Sequence, residues 1–299
     1  MKSLRLLLAV SALASVAGEA ASSELDTPAP DAFAKARNVV YVTSFETDSV
    51  LKFNADSGAF LGVFVPPGSG GLNGPTGLSF GPDGHLYVAS FVFNNSVLRY
   101  DGRTGQFLDV FVEEGSGGLQ GPIDLKFGPN GDLYVAASYA GGVFQYDGLT
   151  GAFIDRFTTG PNGAEALDWH LGDLYISSHV SDNVIRYDGQ NGSKIGPVTS
   201  GFLDWATGFD YGADGNIYVA SFFDNAVMKF NPQTRQWKGV FAQTGSGPEM
   251  IEFGPNGDLY VASYHGDSVD RFDGRTGAWK RSMWGNGLDG AFDIAFRRR

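Results

Sequence analysis

The sequence contains no cysteine, and this absence excludes several kinds of architecture. A chain without thiols forms no disulfides, so an exported protein of this composition must be stabilised by packing and strand pairing alone. It also lacks the cysteine that a lipoprotein anchor requires. No stretch shows the apolar periodicity of an amphipathic helix, which argues against a fold built mainly on helices.

Basic residues are scarce as well, with 21 Lys and Arg against 33 Asp and Glu. Without residues 1–20 the chain has two fewer bases and one fewer acid, hence 19 against 32 and a net charge of −13. Binding to nucleic acid depends on clustered Lys and Arg that neutralise phosphates. We therefore expect no nucleic-acid partner.

Long apolar runs are missing except near the N-terminus, where Lys2 and Arg5 precede the run Leu6–Ala17 and small residues follow to Ala20. This layout is typical of a secretory signal. We predict a signal peptide at residues 1–20, a flexible lead-in at 21–37, and a secreted or periplasmic location. An uncleaved anchor is the alternative, although about a dozen apolar residues are few for a membrane span. After cleavage we expect no transmembrane span.

What the sequence has in abundance is one repeated motif. Gly254–Ser263 reads Gly-Pro-Asn-Gly-Asp-Leu-Tyr-Val-Ala-Ser, and near copies occupy Gly81–Ser90, Gly128–Ala137 and Gly212–Ser221. Two weaker copies end in Leu174–Ser178 and Val40–Ser44. The tyrosine of the motif recurs every 41 to 47 residues, at Tyr41, Tyr87, Tyr134, Tyr175, Tyr218 and Tyr260. A period of this size is typical of a repeat architecture.

Each repeat contains four short apolar runs, A to D, separated by Gly-rich turns. The last A run, Ala291–Phe296, has no B run after it, and the first B run, Val39–Thr43, has no A run before it. Pairing of these two segments would close a ring and remove exposed sheet edges. We predict an all-β, six-bladed β-propeller with four-stranded blades, forming a single domain over residues 38–299, and we expect a monomer.

The repeated unit, Pro-x-x-Leu-x-Phe-Gly-Pro-Asn/Asp-Gly-x-Leu-Tyr-Val-Ala-Ser followed by Val-x-x-Tyr/Phe-Asp, covers residues 39–296. It resembles the NHL-type six-bladed propellers and their relatives, the streptogramin lyases and the SMP-30/gluconolactonase-like lactonases. The resemblance implies that ligands and catalytic residues gather where run A begins, on the face shared by the D-to-A and B-to-C connections. We call this the top face. The sequence departs from the lyases, which have seven blades, and does not match the Glu, Asn and Asp ligands of the lactonases.

Four blades place one carboxylate near the start of run A, at Asp124, Glu165, Glu249 and Asp293. Like charges that converge on a narrow mouth repel each other unless a cation or a shared proton offsets them. Oxygen ligands in this number suit calcium or magnesium. They predict one divalent cation in the central channel, and the alternative is a set of solvated side chains around a water-filled channel.

The B-to-C corners supply a second set of candidates at equivalent positions, namely Phe45, Phe91, Ser138, His179, Phe222 and Tyr264, with His265 one residue later. An imidazole near neutral pH suits proton transfer, so His179 and His265 are candidate catalytic residues, with ordinary loop residues as the alternative. The aromatic members, Phe45, Phe91, Phe222 and Tyr264, form either a rim for a sugar or apolar ligand or a packed lid on the blades.

Two functions of different class remain open. The first is an exported propeller that binds a small molecule, a glycan or a protein on its top face, which the regularity of the repeats favours. The second is a divalent-metal-dependent hydrolase or lyase, lactonase-like or streptogramin-lyase-like, at the mouth of the central channel. In that case the four carboxylates would hold the ion and His179 or His265 would move the proton. The clustering of unusual residues on one face favours this alternative.

Overall fold

The predicted runs form six four-stranded antiparallel sheets in a computed structural model, which describes residues 38–297. The predicted signal peptide and lead-in lie outside the described residues. Two short 3-10 turns, Ser69–Gly71 and Ser116–Gly118, interrupt connections between blades. No helix within residues 38–297 is long and apolar enough to cross a membrane.

Each blade is numbered in chain order, with its inner strand first. Blade 1 consists of β24 (Ala291–Phe296), β1 (Val39–Ser44), β2 (Ser49–Asn54) and β3 (Phe60–Val65). Blade 2 consists of β4 (Pro75–Phe80), β5 (Leu86–Ser90), β6 (Ser96–Tyr100) and β7 (Phe107–Val112). Blade 3 consists of β8 (Pro122–Phe127), β9 (Leu133–Ala137), β10 (Val143–Tyr146) and β11 (Phe153–Thr158).

The other three blades repeat the same order. Blade 4 consists of β12 (Ala164–His170), β13 (Asp173–Ser178), β14 (Asn183–Tyr187) and β15 (Lys194–Pro197). Blade 5 consists of β16 (Ala206–Tyr211), β17 (Ile217–Ser221), β18 (Ala226–Phe230) and β19 (Trp237–Gln243). Blade 6 consists of β20 (Pro248–Phe253), β21 (Leu259–Ser263), β22 (Ser268–Phe272) and β23 (Trp279–Trp284).

The ring is closed by pairing of the two most distant strands of the chain. Strand β24 runs antiparallel to β1, with Val40 opposite Phe296 and Val42 opposite Ile294. Blade 1 therefore combines both ends of the described chain, as the unmatched A and B runs predicted. The six-bladed, all-β propeller is confirmed.

The repeated tyrosines pack between blades. Tyr87 of β5 is 1% exposed, and its ring meets Phe111 of the same blade edge-on at 4.8 Å and Phe127 of the next blade at 4.9 Å. Burial of such large apolar surfaces is the dominant favourable contribution to folding. The tyrosines therefore join neighbouring sheets.

The inner strands surround the axis and approach each other closely. A Cβ atom at Gly77 would lie 2.6 Å from Cα of Asp124 on the next inner strand. Such a contact is too short for any side chain, so glycine at this position lets β4 and β8 come together. Two cavities lie at opposite ends of the inner strands, one at their first residues and one at their last.

Candidate functional site

The cavity on the top face has a volume of about 890 Å³ and is called the upper cavity here. Small-molecule sites typically span about 300–1,000 Å³. Its walls come from the B-to-C corners and from the first residues of the inner strands, because both elements end on this face. All six equivalent corner positions predicted from the sequence line it: Phe45, Phe91, Ser138, His179, Phe222 and Tyr264.

Two glutamates lie deep in the upper cavity. Glu165 is 5% exposed and Glu249 is 6% exposed, each as the second residue of its inner strand. Burial raises the pKa of Glu165, and a hydrogen bond between its Oε1 and Nδ1 of His179 opposes that rise. One carboxyl of this pair is therefore partnered by an imidazole.

Glu249 has no such partner. It forms no hydrogen bond or ion pair with any other residue within 38–297. Burial, and then the nearby charge of Glu165, raise the pKa of Glu249 well above its usual range. A buried carboxyl without a donor is costly to ionise.

Trp205 forms one wall beside His179, and the two rings stack with centroids 4.1 Å apart. The backbone of Trp205 has φ 68°, a left-handed conformation that favours glycine. At the equivalent position before the inner strand, the other five blades all have glycine, with φ between 56° and 67°: Gly74, Gly121, Gly163, Gly247 and Gly290.

Those glycines make room for the corner side chains. A Cβ atom at Gly163 would lie 2.6 Å from Cε1 of His179, and one at Gly121 would lie 2.8 Å from the ring of Tyr139. Blade 5 instead has tryptophan at this position, in a backbone conformation that is unfavourable for a residue with a side chain. Trp205 is only 5% exposed. Backbone strain of this kind concentrates at functional sites.

Nine aromatic side chains form a series around the upper cavity in which each ring contacts the next. Neighbouring centroids in this series lie between 4.1 and 6.2 Å apart. In order, its members are Tyr139, Phe91, Phe45, Tyr264, His265, Phe222, Phe223, Trp205 and His179. We call this series the aromatic belt. It includes the four residues of the predicted ligand rim and both candidate histidines.

Further acidic groups stand at the exposed mouth of the cavity. Glu46 accepts a hydrogen bond from the hydroxyl of Tyr264 at 2.5 Å, and Asp267 accepts one from the backbone N–H of Gly290 at 2.8 Å. Asp289 stands beside them. Among the described residues, no Lys or Arg lines the upper cavity, so its charged walls are acidic apart from the two histidines.

The other two predicted ligands, Asp124 and Asp293, line the second cavity, of about 360 Å³, which we call the lower cavity. Asp124 accepts the backbone N–H groups of Leu125 and Leu167 at 2.7 and 2.9 Å, and Asp293 accepts those of Ile294 and Leu78 at the same distances.

Each of these two carboxylates therefore ties its own inner strand to that of a neighbouring blade. Burial, opposed by the charge of Lys126 and supported by that of Asp124, raises the pKa of Asp293 to about 7. Both side chains therefore make these contacts within the ring that the six inner strands form around the axis.

The structure thus brings Glu165, Glu249, His179 and His265 to one cavity and places Asp124 and Asp293 at the other. The aspartates come one residue later in their strands than the glutamates, and successive side chains of a strand point in opposite directions. Within residues 38–297, no group of three or more His, Cys, Asp or Glu is arranged to hold a metal ion. The divalent cation stays a prediction.

Sequence reasoning missed Trp205, Tyr139 and the acidic mouth of the upper cavity. Trp205 carried a readable signal, since it alone replaces glycine before an inner strand. Tyr139 and Glu46 had none, because they follow the compared corner positions by one residue and no repeat marks them.

Among the comparisons with known proteins, the one with solved structures supports the architecture and goes no further. No protein-family model matches the sequence, and no curated protein matches it. Among solved structures, one titled "Crystal structure of Nidogen/Laminin Complex" contains a similar chain, with a TM-score of 0.70 and 14% identity. The match covers 87% of this chain and 98% of that one.

The chain is a six-bladed β-propeller. At this level of identity the likeness concerns the fold alone, and function on a widely used fold has to be argued from the site.

Proposed function

We propose that the protein binds a small organic molecule in the upper cavity. The observation that carries this proposal is an aromatic-walled cavity of about 890 Å³ with two nearly buried glutamates inside it. Ligand sites are typically concave and mostly apolar, with a few polar groups that fix orientation.

A small molecule fits this site better than a glycan or protein partner on the top face. Glu165 and Glu249 are 5% and 6% exposed, so only a group that enters the cavity can reach them. A partner resting on the mouth would contact Glu46 and Asp289 and leave the inner carboxyls untouched. Secretion or export to the periplasm belongs to this proposal, because it rests on the sequence of residues 1–20.

Ser138 offers a direct test, because three equivalent corners carry phenylalanine. Ser138→Phe adds a ring that the repeat already accommodates and fills part of the cavity. A chemically diverse library is screened by thermal shift on the wild type, Ser138→Phe and the control Leu149→Phe, which alters an exposed turn. A ligand that binds only the folded protein raises its melting temperature.

We expect some compounds to stabilise the wild type and Leu149→Phe and to lose most of their effect on Ser138→Phe. If every stabilising compound acts equally on all three proteins, the upper cavity is not the binding site. If no compound stabilises any of them, small-molecule binding is wrong.

A hydrolase or lyase is the second candidate, and the Glu165–His179 pair in the cavity wall favours it. A carboxylate fixes the orientation of an imidazole and stabilises its protonated form, as proton transfer requires. Glu165 and Glu249 would supply oxygen ligands if a calcium or magnesium ion takes part.

Metal analysis and melting curves before and after chelation test that alternative. Loss of one bound ion together with several degrees of melting temperature, in the wild type but not in Glu249→Gln, would support it. Lactone and lyase substrates would then be assayed. Unchanged melting in both proteins would contradict a role for the cation.

A further inference from the structure

We propose that the upper cavity selects organic cations, namely an ammonium group attached to an apolar body. This inference rests on the proposed function and names the class of ligand. It stands on three observations: the charge of the walls, the unpartnered carboxyl of Glu249, and the aromatic belt.

The first observation is the sign of the charge. Five carboxyl side chains line the upper cavity, at Glu46, Glu165, Glu249, Asp267 and Asp289, and no described Lys or Arg does. A cavity lined by charges of one sign concentrates ions of the opposite sign. Three of these groups already have protein partners, since Glu46 accepts from Tyr264, Asp267 accepts from Gly290, and Glu165 pairs with His179. Charge alone therefore does not identify the contact that matters.

The second observation is Glu249, which is 6% exposed, lines the cavity and has no donor or cation beside it in the described chain. The neighbouring Glu165 has His179, and nothing equivalent serves Glu249. An ionised carboxylate in such a place is stabilised only by a cation or by hydrogen-bond donors. An ammonium group supplies both, because it carries a positive charge and donates several hydrogen bonds.

The third observation is the composition of the walls. Cations bind favourably over the faces of aromatic rings, best over tryptophan, and the attraction is stronger when the cation is desolvated. Trp205 is fixed there by its stacking on His179 and by a 2.7 Å hydrogen bond from its backbone N–H to Oδ1 of Asp182. Glycine fills this position in the other five blades, so Trp205 is a specificity-determining residue of the cavity.

The probes are three benzyl compounds of similar size and different charge: benzylammonium, benzyl alcohol and phenylacetate. Binding is measured by isothermal titration calorimetry on the wild type at low ionic strength. We expect the cation to bind at least tenfold more tightly than the alcohol, and the anion to bind more weakly than either.

Two variants separate charge from shape. Glu249→Gln keeps the size of the side chain, and we expect it to reduce the affinity for the cation to that for the alcohol while leaving the alcohol unaffected. Trp205→Gly introduces the residue that the other blades have at this position and relieves the unfavourable φ. We expect it to weaken binding of the cation about tenfold. Glu113→Gln removes an exposed carboxylate that does not line the cavity; it is the matched control and keeps wild-type binding.

The possible failures are distinguishable. If neutral or anionic compounds bind as tightly as the cation and Ser138→Phe abolishes their binding, the cavity is a binding site but the inferred selection of cations is wrong. Retention of the cation preference in Glu249→Gln also overturns the inference and leaves the proposed function intact. If neither these probes nor the broad library binds, both proposals are wrong.

Discussion

At the scale of single residues, the binding role that we propose for Glu249 comes with a cost in stability. Its buried position raises its pKa in the folded protein above the value in the unfolded chain. Between those two values the folded state binds the extra proton, so the free energy of unfolding falls as pH rises through that window. Glutamine in its place does not titrate.

We therefore predict that Glu249→Gln and the wild type have similar stability near pH 4 and that the variant becomes progressively more stable towards pH 8. Urea unfolding at pH 4, 5, 6, 7 and 8 measures the difference. Glu113→Gln, on the exposed surface, is the control for removal of a carboxylate. A gap between Glu249→Gln and the wild type that does not change with pH would contradict the assigned environment of Glu249.

Much of the site was predictable residue by residue, because the repeat fixes which positions are equivalent. Glu165, Glu249 and the six corner positions follow from that alignment and all line one cavity. The departure of Trp205 from glycine was also visible. The sequence could not tell that His179 partners Glu165 while Glu249 has no donor, because such pairing depends on side-chain geometry between blades.

At the scale of elements, the corners are tied to the next blade by a recurrent polar contact. Asp or Asn at each of five B-to-C corners has φ between 42° and 52°, and its side chain accepts a backbone N–H from the residue before the next inner strand. The five are Asp48, Asn95, Asp182, Asn225 and Asp267. Both residue types tolerate the left-handed conformation and supply the acceptor.

We predict that Asp182→Ala lowers the free energy of unfolding by about 1–3 kcal/mol, because a backbone donor loses its acceptor and alanine disfavours the positive φ. Asp182→Asn should recover most of the loss, since Asn95 and Asn225 make the same contact in other blades. Urea unfolding of the three proteins measures both effects. Equal stability of the Ala and Asn variants would show that the contact contributes nothing.

The strands themselves were predicted closely, because turn residues and alternating apolar positions recur in each repeat. The predicted A run Ala291–Phe296 coincides with β24, and the predicted B run Val39–Thr43 is one residue shorter than β1. The cavities were not predictable at this level, since their depth depends on how far the corners of six separate blades lie from the axis.

At the scale of the whole molecule, closure of the ring depends on β24. This strand pairs with β1, to which the backbone N–H of Asp293 also donates a hydrogen bond at the hydroxyl of Thr43. The carboxylate of Asp293 accepts the backbone N–H of Leu78 on the neighbouring inner strand β4. Without β24, blade 1 would present an unpaired edge at the axis, and exposed edges of this kind promote aggregation.

We predict that a chain ending at Gly290 loses cooperative thermal unfolding and elutes as aggregates in size-exclusion chromatography. A chain ending at Arg297 keeps all of β24 and is the control. A truncated protein that stays monomeric and melts in one sharp transition would show that closure by β24 is dispensable.

Pairing of β24 with β1 also places the two ends of the described chain side by side in one blade, with Val40 opposite Phe296. Chains whose ends lie close together commonly tolerate circular permutation. A short linker from residue 297 to residue 38 would join the two ends of the described chain. New ends could then be made by opening the backbone at an outer hairpin such as Asp273–Gly277. The blade that is synthesised first would then be a free choice, while the two cavities on the axis would keep the same walls.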